Sequence, residues 1–147
     1  MAEIGFYHLT RTSVAEALPP LLGRTLAAGE RAVVRGEAAR IAALDASLWL
    51  AANPDWLPHG TAATGFGPDQ PIWLTPDDDV PNDANFLFLL DDITADFSRF
   101  DRVFYLFDGN DTGAVTAARA RWKSAKDTGH ALTYWQQGER GWVKQAS

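Results

Sequence analysis

Two short stretches decide most of what this chain can fold into. Residues 85–91 read Asn-Phe-Leu-Phe-Leu-Leu-Asp, and residues 102–108 read Arg-Val-Phe-Tyr-Leu-Phe-Asp. Every interior position is apolar. A strand with one wet face alternates apolar and polar residues, because successive side chains point to opposite faces. A strand without that alternation has both faces covered, as in a parallel sheet between layers of helices. Each run ends in aspartate, which puts Asp91 and Asp108 at the carboxyl edge of such a sheet.

The flanking segments supply the other elements. Residues 4–9 are rich in β-formers and read as a first strand. Ser13 and Glu16 fit a capping box. Pro19 and Pro20 break a helix interior, so the firm helix is expected to begin there and to stop at Gly29. Residues 31–35 are a short buried strand. Residues 37–52 form a helix with Ile41, Leu44, Leu48 and Ala51 on one stripe, ended by Asn53 and Pro54. Residues 55–60 are too rich in Pro and Gly for regular structure. Residues 71–75 read as a strand and residues 77–83 as a solvated acidic loop. After residue 111 a helix runs to Gly129, followed by a strand at 131–136 and a tail at 141–144. The order is that of a single α/β layered domain over residues 1–147, with a mostly parallel central sheet and helices on both faces.

Composition narrows the chemistry. The chain has no cysteine, so disulfides and thiolate metal sites are excluded. His8, His59 and His130 are scattered and form no HExxH pair. No apolar run approaches the ~20 residues of a membrane helix, and the N-terminus lacks the basic start and apolar run of a signal peptide. A cytoplasmic protein without a cofactor is expected. No phosphate-loop motif is present: the first strand leads into His-Leu-Thr-Arg-Thr-Ser, which has no glycine to let a phosphate approach.

Charge is unevenly placed. Net charge is −6, yet residues 112–147 carry six bases against two acids, while residues 77–111 carry ten acids against two bases. An acidic body with a basic last quarter is a poor general nucleic-acid binder. It suits a small acidic partner. Four of the bases lie on the helix after residue 111. There Val115, Arg119, Trp122, Lys123 and Lys126 follow the i, i+4, i+7, i+8, i+11 pattern and share one face. Ala114, Ala117, Ala118 and Ala125 take the other side, small enough to lie on the sheet. The outward surface is thus expected to be cationic, with an indole and a valine among the charges.

Two further candidates stand out. Asp108 and Asp111 sit at a strand end, where α/β folds bind ligands, and two carboxylates there can hold magnesium through oxygen. The competing role for Asp111 is to cap the next helix. Trp49 and Trp56, with Leu57, Pro58 and His59 nearby, form a candidate for an exposed partner patch.

Read in order, Phe-Tyr-His-Leu at residues 6–9, Leu44-Asp45, Leu48-Trp49, Leu57-Pro58-His59, Pro71-Ile72, Ala84-Asn85, Phe107-Asp108 and Ala-Arg-Ala-Arg-Trp-Lys at residues 118–123 resemble the chi subunit family of bacterial DNA polymerase III. The resemblance covers nearly the whole chain. It implies a nucleotide-binding-like fold without a phosphate loop and a non-catalytic accessory role in the clamp-loader assembly. It implies binding of the acidic C-terminal tail of single-stranded-DNA-binding protein, with Arg119 matching the family's tail-binding arginine and Val115, Trp122, Lys123 and Lys126 its neighbours. It also implies a second partner, the psi subunit, at Trp49, Trp56, Pro58 and His59, so that DNA is met only indirectly. Val115 departs from relatives that carry a basic residue there, leaving fewer charges for the tail. The alternative is a magnesium-dependent phosphoryl-transfer enzyme using Asp108 and Asp111.

Overall fold

The structure is a computed structural model and describes residues 3–49, 57–91 and 99–146. Among these residues one sheet has eight strands: β1 (Glu3–Leu9), β2 (Ala32–Arg35), β3 (Gly60–Thr61), β4 (Ile72–Thr75), β5 (Phe86–Leu90), β6 (Arg102–Asp108), β7 (Ala131–Gly138) and β8 (Gly141–Ala146). Their spatial order is β3-β4-β2-β5-β6-β1-β7-β8. Every neighbouring pair is parallel except β7 and β8. Three helices are α1 (Val14–Ala27), α2 (Ala38–Trp49) and α3 (Thr112–Asp127).

The uninterrupted apolar runs divide between two cores. From β6, Phe104 and Leu106 join Leu18 and Leu22 of α1 and Leu44 and Leu48 of α2. Val103, Tyr105 and Phe107 of the same strand face the other way and meet Ala118 and Ala125 of α3. Strand β5 splits likewise, with Phe88 and Leu90 in the first core and Leu87 and Leu89 in the second. Each buried Leu or Phe contributes about 1.5–3 kcal/mol relative to an exposed one. A polar residue at any interior position would therefore cost on one face or the other.

Two local expectations are corrected. Helix α1 begins at Val14, not at the prolines: Ser13 Oγ accepts from Glu16 N, and the Glu16 carboxylate accepts from Ser13 N. Pro19 and Pro20 lie inside the helix and leave the carbonyls of Ala15 and Glu16 without their usual i+4 donors. The capping box and the burial of Val14, Ala17, Leu18, Leu21 and Leu22 outweigh that loss. The C-terminal tail is a strand, β8, joined to β7 by a tight turn at Glu139 and Arg140, with Gly141 at φ 114°. Trp142 fixes it by packing edge-on against Tyr7 at 5.0 Å, while Trp135 stacks on the same ring at 6.3 Å. Gly60 and Thr61 add a two-residue strand where no regular structure was expected.

Candidate functional site

Helix α3 is set by its first residue. Asp111 is the N-cap, and its Oδ1 accepts from Gly113 N at 2.9 Å and Ala114 N at 3.2 Å. This satisfies donors that a helix start leaves open. Ala118 and Ala125 are buried against the sheet. Arg121 lies at one edge of the helix, its guanidinium 4.8 Å from the Tyr105 ring. At the other edge Val115 and Trp122 are half-buried against the second core. The Trp122 indole meets Phe6 at 5.2 Å and Tyr134 at 5.8 Å, both edge to face. The indole is therefore not an outward residue among charges. It is the lower wall of a flank on which Arg119, Lys123 and Lys126 are carried.

Beside that wall lies a polar pair the sequence did not single out. His8 Nδ1 is 2.7 Å from the Tyr134 hydroxyl. Burial pushes the His8 pKa below the ordinary imidazole value, and the charge of Arg119 pushes it the same way; a hydrogen bond to the Gly109 backbone and the Asp108 carboxylate oppose both. Burial raises the Tyr134 pKa, and Arg119 opposes that rise. The Arg119 charge thus reaches both rings. Gly109 makes the packing possible, since a Cβ there would collide with the His8 ring. Among the described residues, Arg119, Lys123 and Lys126 enter no ion pair.

The carboxyl edge of the sheet is different. A cleft of about 380 Å³ opens there, lined by Glu37, Arg40, Asp91, Asp108 and Asp111 among others. Arg40, Asp91, Asp108 and Asp111 are engaged with each other or with the backbone. Arg40 Nε donates to both Asp91 oxygens, at 2.8 and 2.9 Å, and Glu37 N donates to Asp91 Oδ2 at 3.2 Å. Asp108 Oδ1 accepts from Asn110 N at 2.9 Å, and Asp111 is the helix cap. Among the described residues no group of three or more His, Cys, Asp or Glu side chains is placed to hold a metal ion.

Next to the cleft, the loop after β1 occupies the phosphate-loop position of nucleotide-binding folds. The backbone N–H groups of Thr10, Arg11 and Thr12 all point at one oxygen, Gln137 Oε1, at 3.0, 2.9 and 3.1 Å. Successive N–H groups converging this way form a concavity suited to an anion. Here the chain's own carboxamide fills it, and Gln137 Nε2 donates to Thr12 Oγ1 at 2.7 Å.

The second candidate patch is only partly open. Trp49 ends α2, with its side chain outside the described residues, as is the whole of Trp56. Pro58 is half-buried. His59 is buried: Nδ1 lies 2.7 Å from the Leu57 carbonyl oxygen, and Nε2 lies 3.0 Å from Asp45 Oδ1 on α2.

In this layered α/β domain the phosphate position is filled by the chain's own Gln137, and Arg119, Lys123 and Lys126 of α3 are exposed. The chain matches the family model of the DNA polymerase III chi subunit, HolC, over residues 1–133, and it belongs to that family. It is thereby an accessory subunit type of a replicative DNA polymerase. No curated protein matches it. Among the described residues no helix is long and apolar enough to cross a membrane. Most of the β7–β8 hairpin lies past the matched segment.

Proposed function

We propose that the chain is a non-catalytic, cytoplasmic adaptor, one domain over residues 1–147, which links DNA polymerase III to the acidic C-terminal tail of single-stranded-DNA-binding protein. One observation carries the reading: Arg119, which has no ion-pair partner among the described residues, stands beside a half-buried aromatic wall of Trp122 and Tyr134. A guanidinium is a planar fork that pairs with a carboxylate through two parallel hydrogen bonds. Val115 and Trp122 offer the tail's terminal phenyl ring an apolar surface. Lys123 and Lys126 follow along the helix for the preceding aspartates. The net charge of −6 opposes such a tail only weakly, since charges are screened over ~8 Å at cellular salt.

A psi or clamp-loader subunit docks on the patch of Trp49, Trp56, Pro58 and His59, with His59 shaping the loop from inside through Asp45. DNA is met only through these partners. The alternative, magnesium-dependent phosphoryl transfer at Asp108 and Asp111, has less support: Asp111 caps α3 and Asp108 holds the turn.

Calorimetric titration with a synthetic tail peptide ending in aspartates, proline and phenylalanine tests the reading. Metal-free binding that disappears in Arg119→Ala is expected. Undiminished affinity in that variant ends the proposal.

A further inference from the structure

The peptide site described above rests on α3, and on the sheet side it reaches only as far as Tyr134. The sheet continues. Strand register pairs Tyr134 with Ala146 and Gln136 with Val143. Side chains alternate along a strand, and paired residues share a face. Tyr134, Gln136 and Val143 therefore lie on the face that carries α3. Neighbouring strands are about 4.8 Å apart, so Val143 lies within one strand spacing and two residues of Tyr134. Beyond Tyr134 this face is open: Gln136 is half-buried and Val143 is 51 % exposed, one of only two large hydrophobics so exposed among the described residues.

A single exposed valine on a strand is ordinary. Three observations set this one apart. It continues the apolar floor of Trp122 and Tyr134 instead of standing by itself. It lies in the basic quarter of an acidic molecule, which favours an anionic partner on this side. And its hairpin is held from behind, by Trp142 of β8 and Trp135 of β7 on Tyr7 and by Gln137 of β7 on the loop of residues 10–12. A surface fixed in advance loses little entropy when a ligand orders on it.

We infer that the β7–β8 hairpin is the outer half of the peptide groove. Its occupant is an acidic peptide with a C-terminal aromatic residue, so the inference rests on the tail-binding reading. The terminal carboxylate pairs with Arg119. The ring lies on Tyr134, with Trp122 and Val115 on its helix side and Val143 with Gln136 on its strand side. The tail site is then shared between the segment the family model covers and a hairpin largely outside it.

The test uses the full chain, one acidic peptide ending in phenylalanine, and the same peptide without that residue. Val143→Ser removes the apolar contact without adding charge. It should weaken the full peptide roughly fivefold, the scale expected for part of a valine's burial, and leave the weak binding of the shortened peptide unchanged. In ¹⁵N spectra of the unaltered protein, the Gln136 and Val143 amides should shift on titration with the full peptide and not with the shortened one. That measurement decides the matter should Val143→Ser fail to fold. Full affinity in Val143→Ser, or unmoved Gln136 and Val143 amides, overturns the hairpin inference if Arg119→Ala has lost binding. If Arg119→Ala also binds normally, the tail reading itself has failed.

Discussion

The carboxyl-edge cleft and the α3 flank are both charged, yet they are finished differently. In the cleft, four charged side chains are engaged: Arg40 holds Asp91, Asp111 caps α3 and Asp108 takes the Asn110 amide, while Gln137 fills the nearby nest of N–H groups. On the flank, Arg119, Lys123 and Lys126 enter no ion pair among the described residues, and the aromatic wall below is only half covered. The cleft has the outline of a ligand site and the bonding of a structural joint. The flank has the outline of an ordinary solvated helix and the open donors of a binding site.

Substitutions can break this comparison by showing the cleft to be functional or the flank structural. The largest effect is expected from Arg119→Ala. Truncating one partner of a close, partly desolvated charge pair costs roughly 2–5 kcal/mol, out of the ~8 kcal/mol of a micromolar complex. Tail-peptide binding should fall below calorimetric detection while the urea midpoint stays put. Arg119→Lys should restore only part, because an ammonium cannot make the paired contact. Asp91→Ala should act in the opposite sense. It leaves Arg40 and the Glu37 amide without their acceptor, and denaturant titration should register a loss of about 1–3 kcal/mol, with peptide affinity unchanged. Lost peptide binding in a still-folded Asp91→Ala would make the cleft part of the site.

Smaller changes sharpen the contrast. Asp111→Ala removes the cap of α3 and should cost about 1 kcal/mol of stability by the same measurement. Lys123→Ala and Lys126→Ala should each weaken the peptide by ~1 kcal/mol or less and flatten its salt dependence, as solvent-facing charges do. Asp108→Ala should leave peptide binding as it was. Equal losses at Arg119, Lys123 and Lys126 would replace the pocket by a diffuse electrostatic surface.

The middle of the sheet was legible because β5 and β6 are buried on both sides. Residues 86–90 and 103–107 had nowhere to hide a polar side chain, so composition alone gave their class. The spacing of Arg119, Trp122 and Lys123 was legible too, since a helix fixes relative angles. It does not fix which arc meets the sheet. Ala118 and Ala125 are too small to fill the edge of the core by themselves, and Trp122 and Val115 turn inward to complete it. The proline rule misplaced the start of α1 because local preference was overridden by burial and a capping box. The burial of His59, the role of Gln137 and the strand β8 carried no local signal. Their partners are Asp45, the amides of residues 10–12 and Tyr7, and only the folded topology brings them together.

The position of β1 has a consequence for the making of the chain. This strand is synthesised before the other seven and lies inside the sheet, but its two neighbours are β6 and β7, which follow β2 to β5 in the chain. At ~5–20 residues per second, the interval between Leu9 and Arg102 is on the order of 5–20 s. Through that time Ile4, Phe6 and Leu9, all without solvent exposure in the folded protein, have no strand to pair with. Helices α1 and α2 and strands β2 to β5 can meet earlier. Completion of the sheet awaits β6 and β7, and long-range parallel pairing of this kind is slow. A ribosome stalled before β6 would therefore display an apolar strand with both edges open, a natural target for chaperones and an aggregation hazard without them.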